Sequence, residues 1–148
     1  TSVTTSQPDA SRERLRSLMT EFMAALPTRD WPRLSATLAP NVERIGPEGS
    51  EGDGVVGRDG YVSWLAGFAD PLYEYGWKVH RIIYSEDGRT AVVDCSTRYL
   101  LTREAQPFGY RLVMVFDMGD SGLIERVDLY WKTPKQRVPG DTISAGKG

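Results

Sequence analysis

Apolar residues recur at helical spacing in the first part of the chain. Between residues 15 and 26 they fall at i, i+3, i+4, i+7, i+8 and i+11, which predicts an amphipathic helix. Asp9 or Ser11 can cap its start, and Pro27 is predicted to end it. The positions that define its apolar face are Leu15, Leu18, Met19, Phe22, Met23 and Leu26.

Two more helices are predicted before the pattern changes. Asp30 can cap a short second helix, and Asp59 can cap a third at 57–70. Between them the sequence predicts a strand at 41–46 and a loop, rich in glycine and acidic residues, at 47–56. The apolar residues of these helices are Trp31, Leu34 and Leu38 in the second and Tyr61, Leu65 and Phe68 in the third.

From residue 73 onward apolar and polar residues alternate, which is typical of strands. The alternation predicts four strands, and each gap between them contains glycine, so they should form antiparallel hairpins. Helices followed by such strands predict an α+β fold, in which a strongly curved antiparallel or mixed sheet forms a cone-shaped barrel around three N-terminal helices. The four strands are predicted at 73–84, 90–102, 110–118 and 123–132.

The length of 148 residues fits one domain. Residues 1–133 are predicted to form a single α+β domain in which 1–8 are disordered. An irregular tail rich in proline and glycine is expected at 134–148.

Composition argues against several classes of partner. The net charge is −2 with no basic stripe, so nucleic acid is not expected, and no apolar run approaches ~18 residues, so no membrane span is expected. The single cysteine, Cys95, suits a buried inert thiol in a reducing cytoplasm. His80 has no second ligand at metal-binding spacing, and the glycine-rich segment lacks a phosphate-loop lysine, so neither a metal nor a cofactor is predicted.

The strand at 92–101 poses the main functional question. Alternation puts Asp94, Ser96 and Arg98 on one face and Cys95 and Tyr99 on the other. The charged row is either a solvated outer surface or the wall of a reactive pocket, and the pattern leaves both open. The pocket hypothesis is attractive because one guanidinium can hold two carboxylates at once.

On the last strand Asp128 and Tyr130 share a face, whereas the opposite face is more apolar. This argues that Asp128 points outward, unless a bulge reverses the alternation. Under the pocket hypothesis, Asp94, Arg98 and Asp128 line one cavity, in which either carboxylate moves a proton and Arg98 orients the substrate. His80 and Tyr130 would assist.

Aromatic side chains are frequent for a chain of this size, and a cone lined by some of them would suit a flat, apolar ligand. Arg44, if it points inward, would suit an anionic or enolate oxygen. The predicted substrate-binding residues are Arg44, Tyr61, Trp64, Tyr75, Trp77 and Phe116.

Three segments resemble the nuclear transport factor 2-like superfamily: "LMTEFMAALPTRDWPRLSATLAPNV", "VVGRDGYVSWL" and "GLIERVDLYWK". The resemblance covers roughly residues 11–133. The superfamily contains ketosteroid isomerases, limonene-type epoxide hydrolases, scytalone dehydratase, SnoaL-type polyketide cyclases and non-catalytic binding proteins. All of them use the same cone as a pocket, so the fold alone does not choose among these activities.

The ketosteroid isomerase pattern is not matched. Its aspartate base stands on the strand after the second helix, where this chain has Arg44 or Ile45, with Glu43 one step away. The first helix also has no tyrosine to donate to an oxyanion.

Two of the superfamily's other enzyme groups, the limonene-type epoxide hydrolases and the SnoaL-type cyclases, fit the sequence in part. Limonene-type epoxide hydrolases use an Asp–Arg–Asp set, for which this chain offers Asp94, Arg98 and Asp128. SnoaL-type cyclases carry an aspartate or a histidine in the cone, which would be Asp128 and His80 here.

These patterns predict a cofactor-independent acid–base enzyme that acts on a small, largely apolar molecule of secondary metabolism. It would catalyse cyclisation or isomerisation, as the polyketide cyclases do, or epoxide opening. The alternative is a non-catalytic module that binds a ligand or dimerises. A homodimer through the outer face of the sheet is expected, because residues 112–116 are apolar on both faces of their strand.

Overall fold

The computed structural model describes residues 7–46 and 53–132 and confirms the predicted α+β class. Three helices pack their apolar sides against one face of a six-stranded sheet, here called the inner face. None of the helices in the described part is long and apolar enough to cross a membrane. The helices are α1 (Gln7–Thr28), α2 (Trp31–Ser35) and α3 (Arg58–Ala69).

The sheet is mixed and curved, as expected for a cone, but it is open and not a closed barrel. The strand order is β2-β1-β6-β5-β4-β3. β1 runs parallel to β6, and all other neighbours are antiparallel. The strands are β1 (Leu38–Ile45), β2 (Val55–Val56), β3 (Glu74–Tyr84), β4 (Thr90–Leu100), β5 (Arg111–Met118) and β6 (Ile124–Lys132).

α1 differs from its predicted bounds at both ends. It begins at Gln7, so residues 7 and 8 are helical instead of disordered, and residues 1–6 lie outside the described part. It also continues through Pro27 to Thr28. The Ala25 carbonyl, a last-turn acceptor, is satisfied by the Thr28 hydroxyl over 3.2 Å and by the Asp30 N–H over 3.1 Å.

The predicted caps have opposite outcomes. Asp30 caps α2, because its carboxylate accepts the Arg33 N–H over 3.2 Å. The prediction of Asp59 as the cap of α3 is wrong: the N-cap is Gly57 at φ 96°, a conformation that favours glycine. The Gly57 N–H donates to the Val42 carbonyl over 2.7 Å, which ties the start of α3 to β1.

Two further predictions, one for the second helix and one for a loop, need correction. Leu38, expected in the second helix, begins β1. The expected loop at 47–56 contains the short strand β2, while 47–52 and the predicted tail at 134–148 lie outside the described residues.

A bulge on β6 breaks the predicted alternation. Met118 pairs with Ile124 and Asp117 pairs with Arg126, so Glu125 is an extra residue. Ile124 and Val127 are therefore both buried. Beyond the bulge the alternation continues with Leu129 pointing inward, which leaves Asp128 on the outer face of the sheet.

Candidate functional site

A cavity of about 240 Å³ lies between the helices and the inner face of the sheet. Its walls are mostly aromatic and aliphatic, and they come from α1, α3, β1, β3, β4, β5 and β6, together with Tyr110 just before β5. The lining residues are Phe22, Leu26, Arg44, Tyr61, Trp64, Leu65, Phe68, Trp77, Thr97, Tyr99, Tyr110, Leu112, Met114, Leu129 and Trp131.

Arg44 brings a positive charge into this apolar space. It lies on β1, where its neighbours are Val55 of β2 and Val127 of β6, and the residue is only 4% exposed. Its guanidinium carbon lies 4.0 Å from the ring centroid of Trp64. A guanidinium over an indole face is attracted by the ring quadrupole, and the attraction grows as water is removed. The Trp64 ring therefore helps to hold the cation inside the cavity.

Tyr61 stands beside Arg44, and its ring centroid lies 6.0 Å from the guanidinium carbon. Burial raises the pKa of Tyr61 to about 12, although the charge of Arg44 and a hydrogen bond with it work in the opposite direction. Burial likewise raises the pKa of Tyr99 to about 12. Both phenols therefore keep their protons at neutral pH and can act as hydrogen-bond donors, not as bases.

The described lining contains no carboxylate and no imidazole. The polar residues in this lining are Arg44, Thr97, the tyrosines and the tryptophans. These groups are suited to stabilise an oxygen anion. They supply no group that would be a free base near pH 7.

The predicted catalytic pair Asp94 and Arg98 lies on the outer face, away from the cavity. Asp94 accepts hydrogen bonds from Arg111 over 2.8 and 3.1 Å and from Arg81 over 3.4 Å. The hydrogen bonds from Arg111 lower the pKa of Asp94 to about 2, against an opposing contribution from burial. Arg98 does not reach Asp94 but donates to Glu74 over 3.0 Å.

The remaining predicted catalytic residues share this outer face. Asp128 accepts from Arg126 over 3.3 Å and from the Tyr130 hydroxyl over 3.2 Å. His80 and Ser96 are joined by a hydrogen bond of 2.7 Å between Nε2 and Oγ.

The prediction that Asp94, Arg98 and Asp128 line one cavity is therefore wrong. The more apolar faces of β4 and β6 cover the core, which leaves the charged faces to solvent. Catalytic roles for Asp94, Arg98, His80, Asp128 and Tyr130 stay predictions that receive no support from the position of the cavity.

The predicted substrate-binding residues divide into two groups. Arg44, Tyr61, Trp64 and Trp77 line the cavity, and their binding roles stay predictions. Tyr75 and Phe116 do not line it.

Tyr75 and Phe116 belong to the packed core instead. The Tyr75 ring stacks on Tyr99 with centroids 5.5 Å apart, and Phe116 meets the Phe22 ring edge-on with centroids 4.9 Å apart. Both side chains fill space next to the cavity without reaching into it.

Sequence reasoning missed Thr97 and Tyr110, and it counted Tyr99 and Trp131 only among the aromatic residues of which some could line the cone. All four line the cavity. A usable signal was present on β4, where the face of Cys95 and Tyr99 is more apolar than that of Asp94 and Arg98. Choosing the more apolar face would have placed Thr97 and Tyr99 inside.

The fold of this chain is shared by several proteins of known structure. No curated protein matches the chain. It is similar to a proposed ketosteroid isomerase from Kribbella flavida, with 25% identity and a TM-score of 0.66 over 88% of this chain and 86% of that one. A proposed polyketide cyclase from Xanthomonas campestris has 23% identity and a TM-score of 0.66, over 82% of this chain and 93% of that one. An LEH-like epoxide hydrolase from Mycobacterium tuberculosis has 18% identity and a TM-score of 0.67, over 81% and 79%.

The likenesses at 23% and 18% identity show the fold alone. The family assignment comes from the sequence: the family model for the SnoaL-like domain matches residues 19–127, from the middle of α1 into β6. The chain therefore belongs to the SnoaL-like domain family, within the nuclear transport factor 2-like superfamily that its sequence resembles.

Proposed function

We propose that the protein binds a small, flat and largely apolar molecule that carries one oxygen anion. The observation that carries this proposal is the placement of Arg44, buried at 4% exposure on the face of Trp64 inside an otherwise apolar cavity. The protonated hydroxyl of Tyr61 beside it is a second donor for the same oxygen. Aromatic walls would hold the flat body of the ligand.

The free energy of binding next to Arg44 should favour a ligand with an anionic oxygen over a neutral ligand of the same shape. In an apolar cavity the attraction between the Arg44 guanidinium and a ligand carboxylate or phenolate is screened less than it would be in water. Hydrogen bonds that involve a charged group contribute about 1.5–3 kcal/mol, compared with about 0.5–1.5 kcal/mol for neutral pairs. The difference corresponds to roughly tenfold in affinity.

The test compares 2-naphthoate with its neutral isostere 2-naphthamide. Trp64, Trp77 and Trp131 line the cavity, so quenching of tryptophan fluorescence should follow binding of either compound, with calorimetry as the second measurement. We expect 2-naphthoate to bind about tenfold more tightly or better. Equal affinities, or tighter binding of the amide, would contradict the proposal.

A second candidate is a cofactor-independent isomerase or cyclase. It is favoured by the neighbouring guanidinium and neutral phenol of Arg44 and Tyr61, which is an arrangement that stabilises an enolate oxygen. Solved structures of similar fold include a proposed ketosteroid isomerase and a proposed polyketide cyclase. If the protein is such an enzyme, we propose that it acts in secondary metabolism. Epoxide opening is less well supported, because the carboxylates suggested for it lie on the outer face.

Enolisation can be measured directly. 2-Tetralone in D₂O exchanges the hydrogens next to its carbonyl when a base from the buffer takes the proton and the enolate is then deuterated by D₂O. Because the described lining supplies no base, the protein would accelerate this exchange, as seen by proton NMR, by stabilising the enolate oxygen with Arg44 and Tyr61. The acceleration should disappear in Arg44→Met and persist in Asp128→Asn, because only Arg44 reaches the cavity. If neither the original protein nor Asp128→Asn accelerates the exchange, the result contradicts the isomerase or cyclase function and leaves the binding function untouched.

We also propose that the protein is a homodimer joined through the outer face of the sheet. Val113 and Val115 lie on this face, next to Tyr130, which is 57% exposed. The charges around these valines are paired within each copy: Asp94 with Arg81 and Arg111, and Asp128 with Arg126. Such a surface can be covered without leaving a charge unpaired. A two-fold axis that lies in the interface, parallel to the sheet, would bring the Val113 and Val115 strip of one copy against the same strip of the other.

Sedimentation at micromolar concentration should then give about twice the chain mass of 16.5 kDa. Val115→Lys should yield monomers, because it puts a charge into the centre of the interface. Val56→Lys is the matched control, since Val56 is 65% exposed on the edge strand β2. A monomer before any substitution would contradict the proposal.

A further inference from the structure

A second hollow, here called the α3 groove, lies beside α3 on the helix side of the sheet. Its volume is about 420 Å³. One wall is formed within residues 63–72, from α3 and the turn after it, and the other by Leu101 and Phe108, which follow β4. The lining is mostly apolar, and Ser63 is its one residue with a hydroxyl group.

The α3 groove and the cavity share a wall. Trp64 and Phe68 line both, and their rings are nearly parallel, with centroids 6.0 Å apart and an angle of 6° between the planes. The most exposed residues of the cavity lining are Phe68, at 39%, and Trp131, at 40%. Phe68 is the one of these two that also borders the groove. A ligand group that leaves the cavity past Phe68 therefore enters an apolar hollow instead of open water.

The far wall of the groove is held in place by backbone contacts. The Phe108 N–H donates to the Tyr99 carbonyl over 3.0 Å, and the Tyr99 N–H donates to the Phe108 carbonyl over 2.7 Å. The next residue, Gly109, passes the Thr97 carbonyl so closely that a Cβ on it would overlap that oxygen. Phe108 is nevertheless 39% exposed and Leu101 is 61% exposed. A fixed wall thus presents apolar surface, which is typical of binding grooves.

Gly67 keeps the near wall open. It lies within α3, where glycine lowers stability relative to alanine. A Cβ built on Gly67 would meet no atom within 4 Å. A larger side chain would therefore fit at this position without a clash, but it would occupy space in the groove that Gly67 lines. The depth of the groove depends on this residue having no side chain.

We propose that the ligand carries an unbranched hydrocarbon group on its flat body, and that this group passes Phe68 and lies in the α3 groove. The continuity of the groove with the cavity favours this occupant, because Trp64 and Phe68 would contact both parts of one molecule. The inference rests on the proposed binding function and narrows its ligand class to flat oxygen anions with an apolar side group. The groove stays accessible in a dimer joined through the outer face, since α3 packs on the inner one.

The test compares butyl-substituted with methyl-substituted 2-naphthoates, each pair substituted at position 5, 6 or 7 to cover different directions. We expect one butyl isomer to bind about tenfold or more tightly than its methyl counterpart. This is the scale expected for three buried methylene groups, reduced by the cost of ordering them. Calorimetry gives the affinities. Equal affinities within all three pairs would overturn the inference.

Gly67→Leu should abolish the butyl preference, because its side chain fills the groove. Gly67→Ala is the matched control: one methyl group leaves most of the groove empty, so most of the preference should remain. Both variants should keep the preference for 2-naphthoate over 2-naphthamide, since Gly67 does not line the cavity. A butyl preference that survives in Gly67→Leu would overturn the inference alone. Loss of the naphthoate preference in the original protein would instead overturn the binding function, and this inference with it.

Two further measurements do not depend on affinity. The terminal methyl group of the bound butyl probe should show nuclear Overhauser effects to the Phe108 ring, which is assigned by comparison with Phe108→Leu. Such effects to Trp131 instead would mean that the group leaves the cavity on another side, which would overturn the inference. Leu101→Lys should sediment as the original protein does. A lower mass would show that a second copy of the chain covers the groove, which would also overturn it.

Discussion

Replacing Arg44 with methionine should weaken binding of 2-naphthoate by about 10- to 100-fold and leave binding of 2-naphthamide nearly unchanged. The range corresponds to the roughly 1.5–3 kcal/mol contributed by a hydrogen bond to a charged group. Methionine is an unbranched chain that can pack on the Trp64 ring where the guanidinium lies now. The substitution therefore removes the charge with little change in the shape of the cavity.

Two further variants test whether the loss of affinity comes from the charge of Arg44 inside the cavity. Arg44→Lys keeps a positive charge but loses the planar group that stacks on Trp64, so its naphthoate affinity should be intermediate. Arg98→Met removes an arginine from the outer face, where it binds Glu74, and should leave the ratio of the two affinities unchanged. Calorimetry gives both affinities, and circular dichroism confirms the fold of each variant. An equal loss in Arg98→Met would show that net charge, not the cavity, decides the preference.

Much of the fold could be predicted from hydrophobic spacing, because each helix and strand buries one face. The α1 stripe at Leu15, Met19 and Phe22 is fully buried or nearly so. The change from helical spacing to alternation marks where the sheet's long hairpins begin. Element ends were less predictable, since they depend on contacts such as the Gly57 N–H with the Val42 carbonyl.

The site was harder to predict because a strand pattern gives two faces without saying which one meets the helices. On β4 the carboxylate of Asp94 looked like part of a reactive row with Arg98. Its actual partners, Arg81 and Arg111, come from the strands on either side, and this pairing depends on register. A single strand carries no information about register, so the ion pairs of Asp94 could not be predicted. Only the greater apolarity of the Cys95 and Tyr99 face indicated which side meets the helices.

Arg44 illustrates the opposite difficulty. A buried arginine contradicts the usual preference of charged residues for solvent, so an inward orientation was only one of the open possibilities. The Trp64 ring from α3 and the Tyr61 side chain contribute to its stabilisation there. The start of α3 is tied to β1 by the Gly57 N–H. Functional sites are where such local rules are expected to fail.

Phe116→Ala should lower the free energy of unfolding by about 3–5 kcal/mol, the usual cost of removing a buried phenylalanine. Phe116 is fully buried, and its ring meets Phe22 edge-on with centroids 4.9 Å apart, so alanine would leave a void that α1 cannot fill. Naphthoate affinity of the folded fraction should be unchanged, since Phe116 does not line the cavity. Urea unfolding gives the stability, and fluorescence titration below the transition gives the affinity.

Domains of this size are stable by only about 5–15 kcal/mol, so the alanine variant can be partly unfolded even without denaturant. Phe116→Leu, with a smaller loss of stability, allows the affinity to be measured in a folded protein. Met114→Ala is the matched comparison: Met114 lies two residues earlier on the same face of β5 but lines the cavity, so it should change both stability and naphthoate affinity. If Phe116→Leu weakened binding as much as Met114→Ala does, Phe116 would belong to the binding site, as its sequence position suggested, and the division between core and cavity would be wrong.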